Sequence, residues 1–265
     1  LYAAMNKLSQ LLSVSPEPVV DTDGIESWHA SVEFVGATVA TDRGEMVYNF
    51  ALPTGSTAML VARSSIQESS LGDLLRGYVR PASGQILLGE HDVEDFAVHR
   101  LRDEVFVVDA SPLPVCSIED YLRLANPQLT RAEMRALLDT VGLNIDQPGI
   151  SRALGETLSP EGYPLSTVGM LKLKIAFALA SSSKIIILTS QFDTFSQEAR
   201  IKILNHLKAD TSITVICFTH RQDIEVFDKF IYCDFTEQMD HDSAASVINA
   251  YVQNINGSPV ESAPS

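Results

Sequence analysis

Hydrophobic positions along the 265-residue chain change period several times. From Leu1 to Leu12, the residues Met5, Leu8, Leu11 and Leu12 recur at three- and four-residue spacing, which predicts a helix. The Pro- and Asp-bearing stretch from Ser13 to Gly24 predicts a linker. The period then drops towards two: Val32 and Phe34 within Ser31–Ala40, then Val47, Tyr48 and Phe50 within Glu45–Leu52, predict an antiparallel pair turning at Thr41–Gly44. Thr57–Ala62 is a continuous apolar run, the pattern of a strand buried on both faces. A polar loop over Arg63–Gln67 and a helix near Glu68–Gly77 are expected next, with further short apolar runs at Gln85–Leu88 and Val105–Val108.

The middle of the chain reads as helical. Thr130-Arg-Ala-Glu133 is a capping-box pattern, opening a helix with Met134, Leu137, Leu138 and Val141 on one side. Ser166 precedes a second helical stretch that runs through Ala180. Strand and helix patterns then alternate over Lys184–Leu188, Ser196–Leu207, Ile213–Phe218 and Lys229–Cys233, with a last helix near Ser243–Ile255. Strands separated by helices imply parallel pairing through right-handed crossovers. The tail Gly257–Ser265 carries Pro and Ser and is expected to be mobile. The expected fold is α/β: a mostly parallel core sheet, an antiparallel β flank and a helical insertion.

Composition narrows the partners. Hydrophobic residues make up 45% and charged residues 20%, enough apolar surface for a sizeable core. Nineteen Lys and Arg against 34 Asp and Glu leave a net charge of −15, which speaks against a nucleic-acid-binding face. The same balance sits awkwardly with phosphate binding, which ordinarily needs a cation. Cys116, Cys217 and Cys233 are odd in number and scattered, so neither a disulfide framework nor a structural zinc site is expected. No run approaches the roughly 20 apolar residues of a membrane span, and the start lacks the pattern of a signal peptide. A chain opening on Leu1 reads as a piece of a longer one.

Strand, loop and helix over Met59–Leu75, followed by Pro81-Ala-Ser-Gly84-Gln-Ile-Leu-Leu, resemble the nucleotide-binding domain of an ABC transporter. Asp92-Val93, Leu101-Arg102 and Val105-Phe-Val-Val108 stand in that family's order ahead of its Q-loop. Ser117-Ile-Glu-Asp120 resembles the segment after the Q-loop, and Leu154-Gly155-Glu156 with Leu165-Ser166 the approach to the signature sequence. Ile175-Ala-Phe-Ala178 is similar to the helix that follows, Lys184-Ile-Ile-Ile-Leu188 to the Walker B strand, and Thr219-His220-Arg221 to the H-loop. The resemblance implies a P-loop NTPase-like fold and a division into three parts. These are a connector from a membrane domain over 1–24, an ABC ATPase-like domain over 25–256 with its helical subdomain at roughly 115–170, and a tail over 257–265.

The residues that carry the family's chemistry are replaced. A P-loop cradles phosphates with glycine-rich backbone N–H groups at a helix start and a Lys reaching the outer phosphates. Aligned on Ser69-Ser70-Leu71, this chain has Glu68 at the Lys position and Ser64, Ser65, Ile66 and Gln67 in the turn. A carboxylate there repels a triphosphate by roughly 4 kcal/mol per unit-charge pair at ~4 Å and an effective dielectric of about 20. Ser69 and Ser70 retain hydroxyls suited to magnesium or to helix capping. After Leu188 the Walker B acids give way to Thr189 and Ser190, the adenine-stacking aromatic to Thr41, and the Q-loop Gln to Asp109 or Ala110. Asp193 falls in the D-loop region and reads as a turn or helix-start residue. In the signature region Ser166 survives, but Thr167 and Val168 replace the glycines, and an N-cap role suits Ser166 equally well. His220 alone keeps its catalytic-type position, with the plain reading of a hydrogen-bonded strand-end histidine beside it.

The resemblance thus implies a degenerate exporter half that docks to a transmembrane domain and to a second nucleotide-binding domain, at the cytoplasmic face of a membrane. No metal ligand set is expected, and ATP with Mg2+ enters only if the altered site still binds them. Two readings stay open beside it: a divergent but competent ATP-hydrolysing subunit, and a non-transport scaffold on the same fold.

Overall fold

The computed structural model describes residues 25, 27–41, 44–143, 155, 165–234 and 238–257. The expected helix at Leu1–Leu12, the linker to Gly24, Leu154, Glu156 and the tail beyond Gly257 lie outside the described residues. The strands are β1 (Val32–Thr41), β2 (Gly44–Leu52), β3 (Thr57–Ala62), β4 (Ser83–Leu88), β5 (His91–Asp92), β6 (Val105–Val108), β7 (Ile185–Leu188), β8 (Thr214–Phe218), β9 (Lys229–Cys233) and β10 (Gln238–His241). The helices are α1 (Ser65–Leu75), α2 (Val98–Glu104), α3 (Ile118–Ala125), α4 (Arg131–Thr140), α5 (Thr167–Ala180), α6 (Gln197–Lys208) and α7 (Ala244–Gly257). Short 3-10 turns occupy Val93–Asp95 and Ser190–Thr194.

Two sheets organise these elements. One is antiparallel with strand order β2-β1-β4-β5; the other has order β10-β9-β3-β8-β7-β6. In the second sheet β3 pairs in parallel with β8 and β9, and β7 in parallel with β6 and β8. Only its edge differs from the expected parallel scheme, because β10 runs antiparallel to β9. The predicted hairpin is present, with Thr41 opposite Gly44 at its turn. Gly84 sits beside the irregularity in β1, with a left-handed φ of +78°, where a Cβ would come within 2.2 Å of the Gly36 carbonyl oxygen. No other residue type fits that approach.

Every residue of β3 is buried, as a central strand requires. Its alternation divides the core: Met59 and Val61 join a cluster with Leu171, Ile175, Ile203, Leu207 and Val247 from the surrounding helices. Ala58, Leu60 and Ala62 face the other way, onto Leu71, Leu74 and the inner side chains of the antiparallel sheet, Phe34, Tyr48 and Ile86 among them. The six-stranded sheet is therefore sandwiched between helices and the β flank, and its C-terminal strand ends converge where α1 begins.

The start of α1 departs from expectation. The helix begins at Ser65 rather than near Glu68, so only Arg63 and Ser64 separate it from β3. Arg63–Gln67 holds no glycine to favour an open loop, and Gln67 at the third helical position reaches back to support the earlier start.

Candidate functional site

The strand ends, the first turn of α1, the 3-10 turn after β7 and the segment after β8 bring most of the singled-out residues together. Gln67 is 1% exposed and bonds through both ends of its amide. Its Oε1 accepts from the backbone N–H groups of Arg63, at 2.7 Å, and Ser64, at 3.0 Å, while its Nε2 donates to the Cys233 carbonyl at 3.0 Å. Arg63, the cation nearest this turn, extends to Asp234 at 3.3 Å. Of the serines, Ser69 is exposed and turns its hydroxyl back to the carbonyls of Ser65 and Ile66. Ser70 shares a 2.5 Å hydrogen bond with the Tyr48 hydroxyl, and Tyr48 also bonds the Gln67 carbonyl at 2.9 Å.

Glu68 lies in the first turn of α1 and is 7% exposed. Its Oε2 accepts from the Ser190 N–H at 2.9 Å and from the Ser190 hydroxyl at 3.1 Å. A carboxylate suits a helix start, where the first N–H groups leave a partial positive charge. Glu68 and Ser190 are thus bonded to each other across 122 residues of sequence. Thr189 turns away from this pair, its hydroxyl donating to the Val108 carbonyl at 2.8 Å.

His220 stands at the rim of the same region. Its Nε2 is 3.2 Å from the Ala62 carbonyl and its ring lies against Tyr251 of α7, 4.7 Å between ring centres. Asp193 is in a turn, as expected, and has a further role: its carboxylate accepts from the Thr219 hydroxyl and from the His220 N–H. Arg200, only 2% exposed, donates to the Asp193 and Phe195 carbonyls and pairs with Asp223.

Thr41 and Ser166 do not join the cluster. Thr41 is at the hairpin turn of the antiparallel sheet, its hydroxyl donating to the Gly44 carbonyl at 2.7 Å. Ser166 caps α5, its hydroxyl accepting from the Gly169 N–H at 3.1 Å. Asp109 is not simply solvated, as a lone loop Asp would be. Lys174 of α5, 5% exposed, donates to the Asp109 carboxylate at 2.7 Å, to its carbonyl at 2.9 Å and to the Ser111 hydroxyl at 2.6 Å. Burial alone would raise the Asp109 carboxyl, but the bonds from Lys174 and Ser111 hold it below its ordinary value.

Tyr48, Asp193 as an anchor and Lys174 were not foreseen as parts of the site. Tyr48 carried the one legible signal, an inward place in the alternation of β2. Burial pushes its phenol well above the ordinary value, and pushes the Cys233 thiol to about 12. Neither group is an accessible acid or nucleophile near neutral pH. Among the described residues no group of three or more His, Cys, Asp and Glu side chains is arranged to hold a metal ion. No described helix is long and apolar enough to cross a membrane.

The sandwich of a mixed core sheet, antiparallel flank and helical layer is the fold of an ABC ATPase domain. The structure superposes on a bacterial Atm1-family ABC exporter with ATP bound at a TM-score of 0.76, with 19% identity over 96% of this chain and 47% of that one. An ATP-dependent lipid A-core flippase of Photobacterium profundum is 29% identical over 214 residues, 77% of this chain and 36% of the flippase. The Pectobacterium atrosepticum flippase is 28% identical over 95% of this chain. The Escherichia coli glutathione/L-cysteine transport system ATP-binding/permease protein CydD is 25% identical over 65% of it. No protein-family model matches the chain. The chain is related to ABC exporters and flippases and has the fold of their nucleotide-binding domain. It spans about a third to a half of the length of these relatives.

Proposed function

We propose that this chain is the nucleotide-site-degenerate half of an ABC-type exporter, serving transmembrane transport as a structural or regulatory domain without hydrolysing ATP itself. The observation that carries the reading is the bond between Glu68 and Ser190. Where the family's chemistry calls for a Lys on the phosphates and an acid on the attacking water, this chain has a carboxylate and a hydroxyl satisfying each other. The residues present do not suit a magnesium triphosphate. The Arg63 and Ser64 N–H groups already have an acceptor, Thr189 donates to backbone, and a buried carboxylate stands where a cation is required.

The domain division follows from the same reading: a connector over 1–24, the ATPase-like domain over 25–256 with a helical subdomain at about 115–170, and a tail. Its partners are a transmembrane domain and a second nucleotide-binding domain, at the cytoplasmic face of a membrane, and no nucleic acid. The hydrolysis assay tests this directly. Purified chain should release phosphate from Mg-ATP no faster than its His220→Ala variant; turnover that His220→Ala abolishes returns the chain to the competent ATPases.

A further inference from the structure

We infer that the phosphate cradle of this domain is occupied by its own side chains, an autoinhibitory contact that fixes one conformation without nucleotide. The inference rests on the degenerate reading above and adds the device that enforces it. A helix start is an anion site because its first N–H groups lack partners inside the helix and the helix dipole favours negative charge there. Here the N-cap Ser64 N–H and the Arg63 N–H just before it have an internal acceptor, and the first turn carries its own negative charge. The Gln67 Oε1 takes the N–H groups of Arg63 and Ser64, and the Glu68 carboxylate supplies the negative charge in the first turn.

Both side chains also reach other elements. Gln67 Nε2 holds the end of β9 through the Cys233 carbonyl, and Glu68 holds the 3-10 turn after β7 through Ser190. The same two residues that block an incoming phosphate thus tie α1 to the sheet on both sides of β3, since β9 and β8–β7 flank it. An external phosphate must displace an acceptor attached to the same helix, which competes at an effective concentration on the order of millimolar or above. The Tyr48 hydroxyl, bonded to the Gln67 carbonyl, restrains the backbone that carries this acceptor.

Amide hydrogen exchange on the whole chain without nucleotide tests the contact. The N-cap Ser64 amide and the Arg63 amide just before it should exchange slower than in an open chain by roughly tenfold or more, and Gln67→Ala should remove that protection. Open-chain exchange at both amides in the wild type, or unchanged protection in a folded Gln67→Ala protein, overturns the inference. Inorganic tripolyphosphate is the probe for the blocked cradle. Titration should give no heat with the wild type and measurable binding with the Gln67→Ala/Glu68→Lys double variant; a folded double variant that stays silent also overturns it. Wild-type exchange decides the matter should the variants fail to fold. Wild-type protein that binds Mg-ATP only as both amides lose protection contradicts the degenerate reading and leaves the contact standing, whereas binding with both amides still protected overturns both. Unprotected amides with no ATP binding do the reverse.

Discussion

Glu68 and Ser190 lie 122 residues apart in sequence, yet the carboxylate of one accepts from both the backbone N–H and the hydroxyl of the other, at 2.9 and 3.1 Å. The pair joins the first turn of α1 to the turn after β7, where the resemblance places the phosphate-binding and water-activating chemistry. Replacing only one member leaves the other, buried Glu68 or half-buried Ser190, with its hydrogen bonds unmade. That asymmetry sets the expected effects of mutation.

Glu68→Ala should destabilise the domain by about 1–3 kcal/mol, because the Ser190 N–H and hydroxyl lose their acceptor. Glu68→Gln keeps an amide oxygen in place and should lose less. Glu68→Lys supplies a cation where the resemblance places one but should not give hydrolysis, since Thr189 and Ser190 remain. Urea unfolding of the three variants, with phosphate release measured in parallel, checks the order.

Tyr48→Phe removes the hydroxyl that bonds the Gln67 carbonyl and Ser70, and should lower stability by about 1 kcal/mol at neutral pH. The difference should shrink in alkali. Burial raises the Tyr48 phenol in the folded protein, so its contribution is fully present below the ordinary value of 10.0 and is lost as pH rises beyond it. Unfolding midpoints of both proteins from neutral pH to above 10.0 show whether the curves converge.

The expected acid response has the opposite sign. Asp109 is held below its ordinary 3.8 in the folded state, so its contribution is present above that value and fades as pH falls through the lower native value. Lys174→Met should cost about 1–2 kcal/mol at neutral pH, discounted because the Asp109 side chain is 36% exposed. The gap from wild type should narrow once pH drops below 3.8. Stability against pH for the two proteins reads this directly.

Much of the architecture was readable from local pattern, because local physics decides it. The unbroken apolar run of β3 gives a strand buried on both faces, and Thr130 with Glu133 and Ser166 with Gly169 form the caps expected of them. What escaped was decided by contacts between distant segments. The loop expected over Arg63–Gln67 shortens because the Gln67 side chain supports a helix from Ser65. Glu68 read as a charge that spoils phosphate binding, but its partner Ser190 became visible only once β7 lay beside β8, one strand over from β3. Asp109 read as solvated because nothing in its own loop signals Lys174, which arrives from α5, 65 residues later. The edge strand β10 has too little alternation to announce itself and exists through its pairing with β9.

Asp193 joins the turn after β7 to the segment after β8 by accepting from the Thr219 hydroxyl and the His220 N–H. Asp193→Ala should release that segment, lowering stability by about 1–2 kcal/mol and raising the exchange rate of the His220 amide. Asp193→Asn, which keeps an acceptor oxygen, should fall between. Exchange mass spectrometry across residues 218–222 follows the effect.

Calorimetric titration of the purified chain with Mg-ATP tests the central claim most directly. The proposed reading, with Glu68 where the resemblance places a Lys and the Arg63 and Ser64 amides taken by Gln67, predicts no binding heat up to millimolar nucleotide and no rise in Tm. Saturable binding at micromolar concentration would contradict it.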